Sequence, residues 1–365
     1  MAPVIHALER HPSDFSVVTC STGQHHKMLG EALEDLNLSP DISLRGTENA
    51  GNLIELNSSL LAGMAPVLRD VRPDISLVHG DTATALNAGL ASFYSNIFIG
   101  HVEAGLRTHN MQAPFPEEFN RRAITAISSV HFAPTPGAAD NLTSEGVDAS
   151  SILVTGNTVI DALFWTADSL RKSPELAAQA ASRARLSGKF AVENTTFVLV
   201  TSHRRENLDQ GIENLCRALV MLADRFPHVH FVWPVHLNPR VQKPVDQFLR
   251  GLTNIHLTTP LGYLALVNLM MQCRFVITDS GGIQEEAPSL GKPVLVLRDV
   301  TERPESVVSG NARVVGTQTA HIFEAAHELL TDEKAYMGRS NPTLHYGDGN
   351  AAERIVSHLR EIRHR

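Results

Sequence analysis

The sequence predicts an α/β fold of two Rossmann-like, doubly wound domains that face a cleft. Two observations predict it. Short apolar, β-branched runs alternate along the 365 residues with helix-sized segments, the signature of βα repeats. The runs are also apolar without interruption, as expected of parallel strands buried on both faces.

Taken in order, strands are predicted at Phe15–Cys20, Ile75–His79, Ile97–His101, Val130–Ala133 and Ile152–Val154. A second series falls at Phe197–Thr201, Val229–Trp233, Ile255–Leu257, Phe275–Thr278 and Val294–Leu297. Helical periodicity occupies Thr82–Tyr94, Glu117–Ala126, Thr158–Leu170, Gly211–Phe226, Tyr263–Gln272 and Gly282–Leu290. The stretch 171–193 breaks the rhythm: it is rich in Ala, Lys, Arg and Ser and has no strong strand. It reads as a linker between an N-terminal domain, 1–170, and a C-terminal domain, 194–350, with 351–365 as a C-terminal helix. Ligands of such folds sit at the carboxyl ends of the strands.

Composition narrows the function classes. A formal charge of −8 argues against coating nucleic acid, which needs a basic excess. The apolar runs are far shorter than the about 20 residues of a membrane span. No basic segment precedes a long apolar run at the start. Cys20, Cys216 and Cys273 are scattered, with no C-x-x-C pair, and read as small core residues in a reducing compartment. The expectation is a soluble, cytoplasmic protein. No His/Cys/Asp cluster has ligand spacing, so no metal is expected.

The second half carries the clearest anion site. The predicted strand ending at Thr278 runs into Asp279-Ser280-Gly281-Gly282 and a new helix. Small residues there let backbone N–H groups approach an anion at the helix's positive end. Glu286, further into that helix, could accept hydrogen bonds from ribose hydroxyls; Ser280 could equally be a helix cap. His203, Arg204 and Arg205 leave another strand end together, a cationic group suited to pyrophosphate. His236, after the next strand, follows the same logic more weakly.

The first half carries acid–base material. Asp81 ends one strand and could cap the next helix. Glu103 follows the next strand by two residues, and Glu117 opens a helix with Arg121 at i, i+4. An exposed pair of that spacing contributes only about 0.3–0.5 kcal/mol. Carboxylates converging near strand ends with a histidine are what general acid–base chemistry needs.

These segments together resemble the non-hydrolysing UDP-N-acetylglucosamine 2-epimerases of bacteria, almost from end to end. The resemblance rests on HGDT (79–82), HVEAGLRT (101–108), PFPEEFNR (114–121), TGNTVIDA (155–162), HRRE (203–206), PVHLNP (234–239), TDSGGIQEEAPSLGKPV (278–294) and TERPE (301–305). It implies an architecture like that of B-type glycosyltransferases, with UDP in the interdomain cleft. It also implies reversible conversion of UDP-GlcNAc to UDP-ManNAc. UDP is eliminated across C1–C2 to give 2-acetamidoglucal and then added back. By resemblance, Asp81, Glu103 and Glu117 take part in proton transfer, Arg121 orients them or the substrate, and His203 acts near the leaving group. Ser280, Gly281, Gly282, Glu286, Arg204 and His236 bind UDP. Gln24 and His25 resemble part of a second, activating UDP-GlcNAc site. No cofactor is implied: neither G-x-G-x-x-G nor Y-x-x-x-K occurs. The family suggests a homodimer.

Family members open with a strand and a G-T-R-P-E-A-I-K-like loop before the first helix. This sequence begins at Met1-Ala2-Pro3-Val4-Ile5, which matches the inside of that helix. The resemblance therefore implies either a longer polypeptide or a chain impaired in phosphate binding that still binds a UDP-sugar; the intact remaining motifs favour the first. Other functions compatible with the motifs are the hydrolysing relative, which releases ManNAc and UDP, and a glycosyltransferase on the same architecture.

Overall fold

The computed structural model describes residues 1–23, 26–44, 50–184, 186, 195–202, 204 and 207–363. Gln24, His25, His203, Arg205, Glu206 and the later part of the predicted linker, 185 and 187–193, lie outside them. The chain divides into two compact units, Met1–Ala162 with Tyr346–Arg365, and Leu163–His345.

The first unit begins with α1 (Ala2–Glu9), β1 (Cys20–Ser21), α2 (His26–Asp35), β2 (Ile42–Ser43) and α3 (Leu53–Val71). Then β3 (Ile75–His79), α4 (Ala83–Tyr94), β4 (Phe98–Val102), α5 (Glu117–Ile127), β5 (Val130–Ala133), α6 (Pro136–Ser144) and β6 (Ile152–Val154) alternate. Among the described residues β3, β4, β5 and β6 form one parallel sheet in that order, and β1 pairs with β2 in a separate two-stranded piece. Alternate strand residues feed two cores. Val102, Val130 and Phe132 pack with Val4 and Leu8 of α1 and with Ile355 and Leu359 near the C-terminus. On the other face, Val78 and Ile99 meet Leu86 of α4 and Ile124 of α5.

The second unit takes over within α7 (Thr158–Lys172) and continues with α8 (Pro174–Arg183), β7 (Phe197–Thr201), α9 (Gln210–Arg225), β8 (His230–Pro234) and α10 (Pro239–Leu249). There follow β9 (Ile255–Thr258), α11 (Tyr263–Gln272), β10 (Val276–Thr278), α12 (Ile283–Ser289), β11 (Val294–Val296) and α13 (Pro304–Val308). The unit closes with β12 (Ala312–Val314), α14 (Thr319–Thr331) and α15 (Glu333–Arg339), and α16 (Ala351–Arg363) returns to the first unit. The sheet order is β12-β11-β10-β7-β8-β9, all parallel. In β7, Val198 and Val200 enter one core and Phe197 and Leu199 the other, which explains why the run reads as apolar throughout. Cys216 and Cys273 are buried in these cores, and burial pushes both thiols up to about 12.

Three expectations change. The units divide at Ala162–Leu163, inside α7, rather than after 170, because α7 is one continuous helix whose later residues Leu163, Ala167 and Leu170 join the second core. Within the expected linker, α8 packs against α11 through that same core, with Ala180 fully buried. The expected strand Phe15–Cys20 is laddered only at Cys20–Ser21. Just before it, Asp41 Oδ2 accepts from the amide and hydroxyl of Thr19, both at 2.7 Å. Side-chain bonds there take the place of a backbone ladder, and Val18 is left exposed.

Besides the packing of Ile355 and Leu359, one buried carboxylate ties the start of the C-terminal helix to the first unit. Asp161 accepts from the amide of Ala351 at 3.2 Å and of Ala352 at 2.8 Å, two of the donors a helix start leaves unpaired. Gly156, at φ +87°, lets the chains meet closely: a Cβ there would lie 3.0 Å from Gly347 Cα. We expect Asp161→Ala to lower the unfolding free energy by about 0.5–2 kcal/mol, measured by urea titration, with α16 amides losing hydrogen-exchange protection first.

Candidate active site

In the first unit the site grows from the carboxyl ends of β3 and β4. The chain leaves β3 through Gly80, at φ +67°, and Thr82, not Asp81, caps α4 by accepting from the Ala85 amide. Asp81 is thereby released from capping and pairs with Arg121: Nε donates to Asp81 Oδ2 at 3.0 Å and Nη2 donates to the same oxygen. Arg121 Nη1 reaches Glu118 Oε2 at 3.3 Å. Glu118 is fully buried and also accepts from the amides of Thr108 and His109, at 3.0 and 3.1 Å. Arg121 is only 3% exposed, so its charge is compensated almost wholly by these two carboxylates. Glu117, although at i, i+4, does not pair with Arg121.

Glu103 sits after β4 in a left-handed backbone conformation, φ +62°, rare for a residue with a side chain. Its Oε2 lies 3.1 Å from His79 Nε2, outside hydrogen-bond alignment. A Cβ on Gly80 would approach that same oxygen to 3.2 Å. His101, on β4, is fully buried and bonds the Gly80 carbonyl through Nε2 at 2.9 Å. Burial lowers its pKa to about 3, so it is a neutral N–H donor that fixes the turn carrying Asp81. Asn120 fixes it from the other side, donating to the Asp81 carbonyl at 2.7 Å. Glu117, the first residue of α5, is half-buried, and among the described residues its carboxylate has no hydrogen-bond or ion-pair partner.

In the second unit the site grows from the ends of β7 and β10. Asp279, fully buried, holds the two together. Its Oδ2 accepts from Ser202 Oγ at 2.7 Å, from the Arg204 amide at 3.1 Å and from Asn207 Nδ2 at 2.9 Å. Arg204 keeps a buried Nε without a partner among the described residues, a donor available to an anion. Ser280 does not cap α12; Gly282 occupies that position, with no side-chain cap. The reason for a glycine at 281 is a close approach: a Cβ there would lie 2.6 Å from Arg303 Nη1. That guanidinium is buried between Glu285, 2.6 Å from Nε, and Glu302, which is shared with Arg298 at 2.8 Å. His236 is half-buried, its Nδ1 accepting from the Asn238 amide at 3.1 Å. Glu286 is 4% exposed, and burial raises its carboxyl to about 7.

The structure thus assembles Asp81, Glu103 and Arg121 around one turn, with Glu117 at the head of the helix that carries Arg121. It gathers Arg204, Ser280, Gly281, Gly282 and Glu286 around neighbouring strand ends. Sequence reasoning missed Glu118, His101, Asn120, Asp279, Asn207 and Arg303. For Glu118 a signal existed, since its spacing to Arg121 and Thr125 follows the inner stripe of a helix. A separate concavity of about 730 Å³, at the amino ends of β5 and β6, contains none of the expected residues. Among the described residues no helix is long and apolar enough to cross a membrane.

Paired parallel α/β units with functional groups gathered at strand carboxyl ends define a class of nucleotide-handling enzymes. Comparison with known proteins narrows the class. A family described as UDP-N-acetylglucosamine 2-epimerase matches residues 6–360. The chain is 47% identical over 360 residues to the UDP-N-acetylglucosamine 2-epimerase of Yersinia pestis, covering 99% of this chain and 94% of that one. To the enzyme of the same name from Escherichia coli K12 it is 44% identical over 363 residues, covering 100% and 95%. Among solved structures, UDP-GlcNAc 2-epimerase from Neisseria meningitidis bound to UDP-GlcNAc superposes with a TM-score of 0.94 at 42% identity, covering 99% and 96%. The enzyme from Methanocaldococcus jannaschii in complex with UDP-GlcNAc and UDP gives 0.84 at 32% identity, covering 99% and 95%. The chain belongs to the UDP-N-acetylglucosamine 2-epimerase family.

Asp279 anchors the loop of Arg204, so its loss should be felt in both stability and ligand binding. Asp279→Asn turns one acceptor into a donor against three donors. We expect about 1–3 kcal/mol less unfolding free energy, measured by urea titration, with weaker UDP binding in calorimetry.

Proposed function

We propose that this chain catalyses reversible C2 epimerisation of UDP-GlcNAc to UDP-ManNAc without net hydrolysis. The C2 proton of the sugar has no neighbouring carbonyl to acidify it, so direct deprotonation is unfavourable. Elimination avoids that difficulty: a base takes the C2 proton while the C1–O bond breaks, releasing UDP and leaving 2-acetamidoglucal. The reverse addition returns a proton to the opposite face of C2 and UDP to C1. No external oxidant or reductant is consumed.

The observation that carries this reading is the unequal tethering of three carboxylates in the first unit. Asp81 is neutralised by Arg121, Glu103 stands beside His79, and Glu117 is half-buried and unpaired. Groups held in different environments can take different proton-transfer roles. In this reading Glu117 is the carboxylate most available as a base, Asp81 and Glu103 complete the proton-transfer set, and Arg121 orients Asp81. The second unit takes the nucleotide: Ser280, Gly281, Gly282 and Arg204 receive the diphosphate, Glu286 the ribose, and His236 binds UDP beside them; the family resemblance assigns His203 a role at the leaving group. The relatives' names and the UDP-GlcNAc bound to the Neisseria structure support the substrate.

Proton NMR of UDP-GlcNAc incubated with the protein in D2O tests the reading. Expected is UDP-ManNAc carrying deuterium at C2; free ManNAc and UDP would point to the hydrolysing reaction instead. Glu117→Gln should lower kcat by about 10²–10⁴ and leave the Kd for UDP within a factor of about two. Unchanged turnover would remove Glu117 from the catalytic set.

A further inference from the structure

Glu286 is the acid on which the ribose reading rests, and its two oxygens face different ways. Oε1 accepts from the Tyr263 hydroxyl at 2.7 Å. Oε2 is turned toward the Ser280–Gly282 turn, 3.7 Å from where a Cβ on Gly282 would stand. Tyr263 is the first residue of α11, after Gly262, and Glu286 is the fourth of α12. The bond therefore joins two helices that follow different strands of one parallel sheet, α11 after β9 and α12 after β10.

We infer that Tyr263 is a positioning residue for nucleotide binding: by donating to Oε1 it holds the Glu286 carboxylate so that Oε2 accepts from the ribose hydroxyls. This rests on the proposed reading that Glu286 receives the ribose. The chemistry requires such a donor. A carboxylate taken out of water without a hydrogen bond reverts to the neutral acid, which has lost part of its acceptor capacity. Burial raises the Glu286 carboxyl to about 7, and the Tyr263 hydroxyl opposes that rise. On its own helix the neighbouring Glu285 is turned to Arg303. From α11, Tyr263 is the titratable group that faces Glu286. Without its hydroxyl, protonation of Glu286 extends to higher pH.

The test is UDP affinity by calorimetry from pH 5.5 to 8.5 on the full chain, with Tyr263→Phe and Glu286→Gln alongside. The nucleotide's own titration is common to all three and cancels. In the unaltered protein affinity should fall as pH drops below about 7, approaching tenfold per unit, because the ionised carboxylate is the binding form. In Tyr263→Phe the midpoint should move upward by about one unit, so the deficit is near tenfold at pH 6 and vanishes at the alkaline end. A deficit equal at every pH is what a mere packing role gives, and it overturns the inference while leaving the ribose reading intact. If Glu286→Gln binds UDP as tightly as the unaltered protein, the ribose reading itself fails. Should the phenylalanine chain not fold, fluorotyrosine incorporation keeps the question open to decision. A more acidic phenol is a stronger donor and should move the midpoint downward; an unmoved midpoint overturns the inference.

Discussion

A buried guanidinium is the constraint on which the carboxylate cluster of the first unit depends. Arg121 is almost completely removed from water, and an uncompensated charge in that position costs several kcal/mol. The fold answers with Asp81 from the end of β3 and Glu118 from the same helix. Each partner is itself held. The turn of Asp81 is fixed by His101 and Asn120, and Glu118 is occupied by two backbone amides. Successive helical residues point about 100° apart. With Glu118 committed inward, Glu117 is rotated out of the ion-pair cluster and left half-buried without a partner. The unpaired carboxylate is a geometric consequence of the ion-paired one beside it.

The second unit solves a similar problem differently. Arg303 is buried between Glu285 and Glu302, and its guanidinium occupies the space that a side chain at 281 would fill. Glycine at that position is therefore required by packing on one side, whatever lies on the other. Asp279 then ties the end of β10 to the segment after β7 through a single oxygen that accepts three donors. Two loops far apart in sequence become one rigid edge. Preorganisation of this kind is what lets backbone amides and one leftover arginine N–H serve an anion without reordering when it arrives.

Much of the strand framework was legible in the sequence because parallel strands buried on both faces leave continuous apolar runs. Ile75–His79, Val130–Ala133, Ile152–Val154 and Phe197–Thr201 appear with the predicted limits. The two-residue β2 is too short to leave such a run, and β12, Ala312-Arg313-Val314, is interrupted by an arginine. The division inside α7 left no local trace, since its helical periodicity continues while the core it serves changes. The return of α16 rests on contacts with residues far earlier in the chain, Val4 and Leu8 in the core and Asp161 at the helix start, 190 residues before Ala351 and beyond any local pattern. In the site, residue types at strand ends were readable but partners were not. Spacing matched Arg121 with Glu117, whereas burial matched it with Asp81 and Glu118.

In a chain of formal charge −8, the proposed diphosphate site does not depend on free guanidinium charge at Arg121 or Arg303. Two carboxylates already surround each. Among the described residues, the uncommitted positive donors near the glycine turn are the Arg204 Nε and backbone N–H groups, which carry directional partial charge rather than net charge. Beside that turn stands Glu286, whose carboxyl burial raises to about 7. In the proposed reading it is the carboxylate that accepts from ribose, and the Tyr263 hydroxyl, by donating to Oε1, biases Glu286 toward that state against the burial that favours the neutral acid.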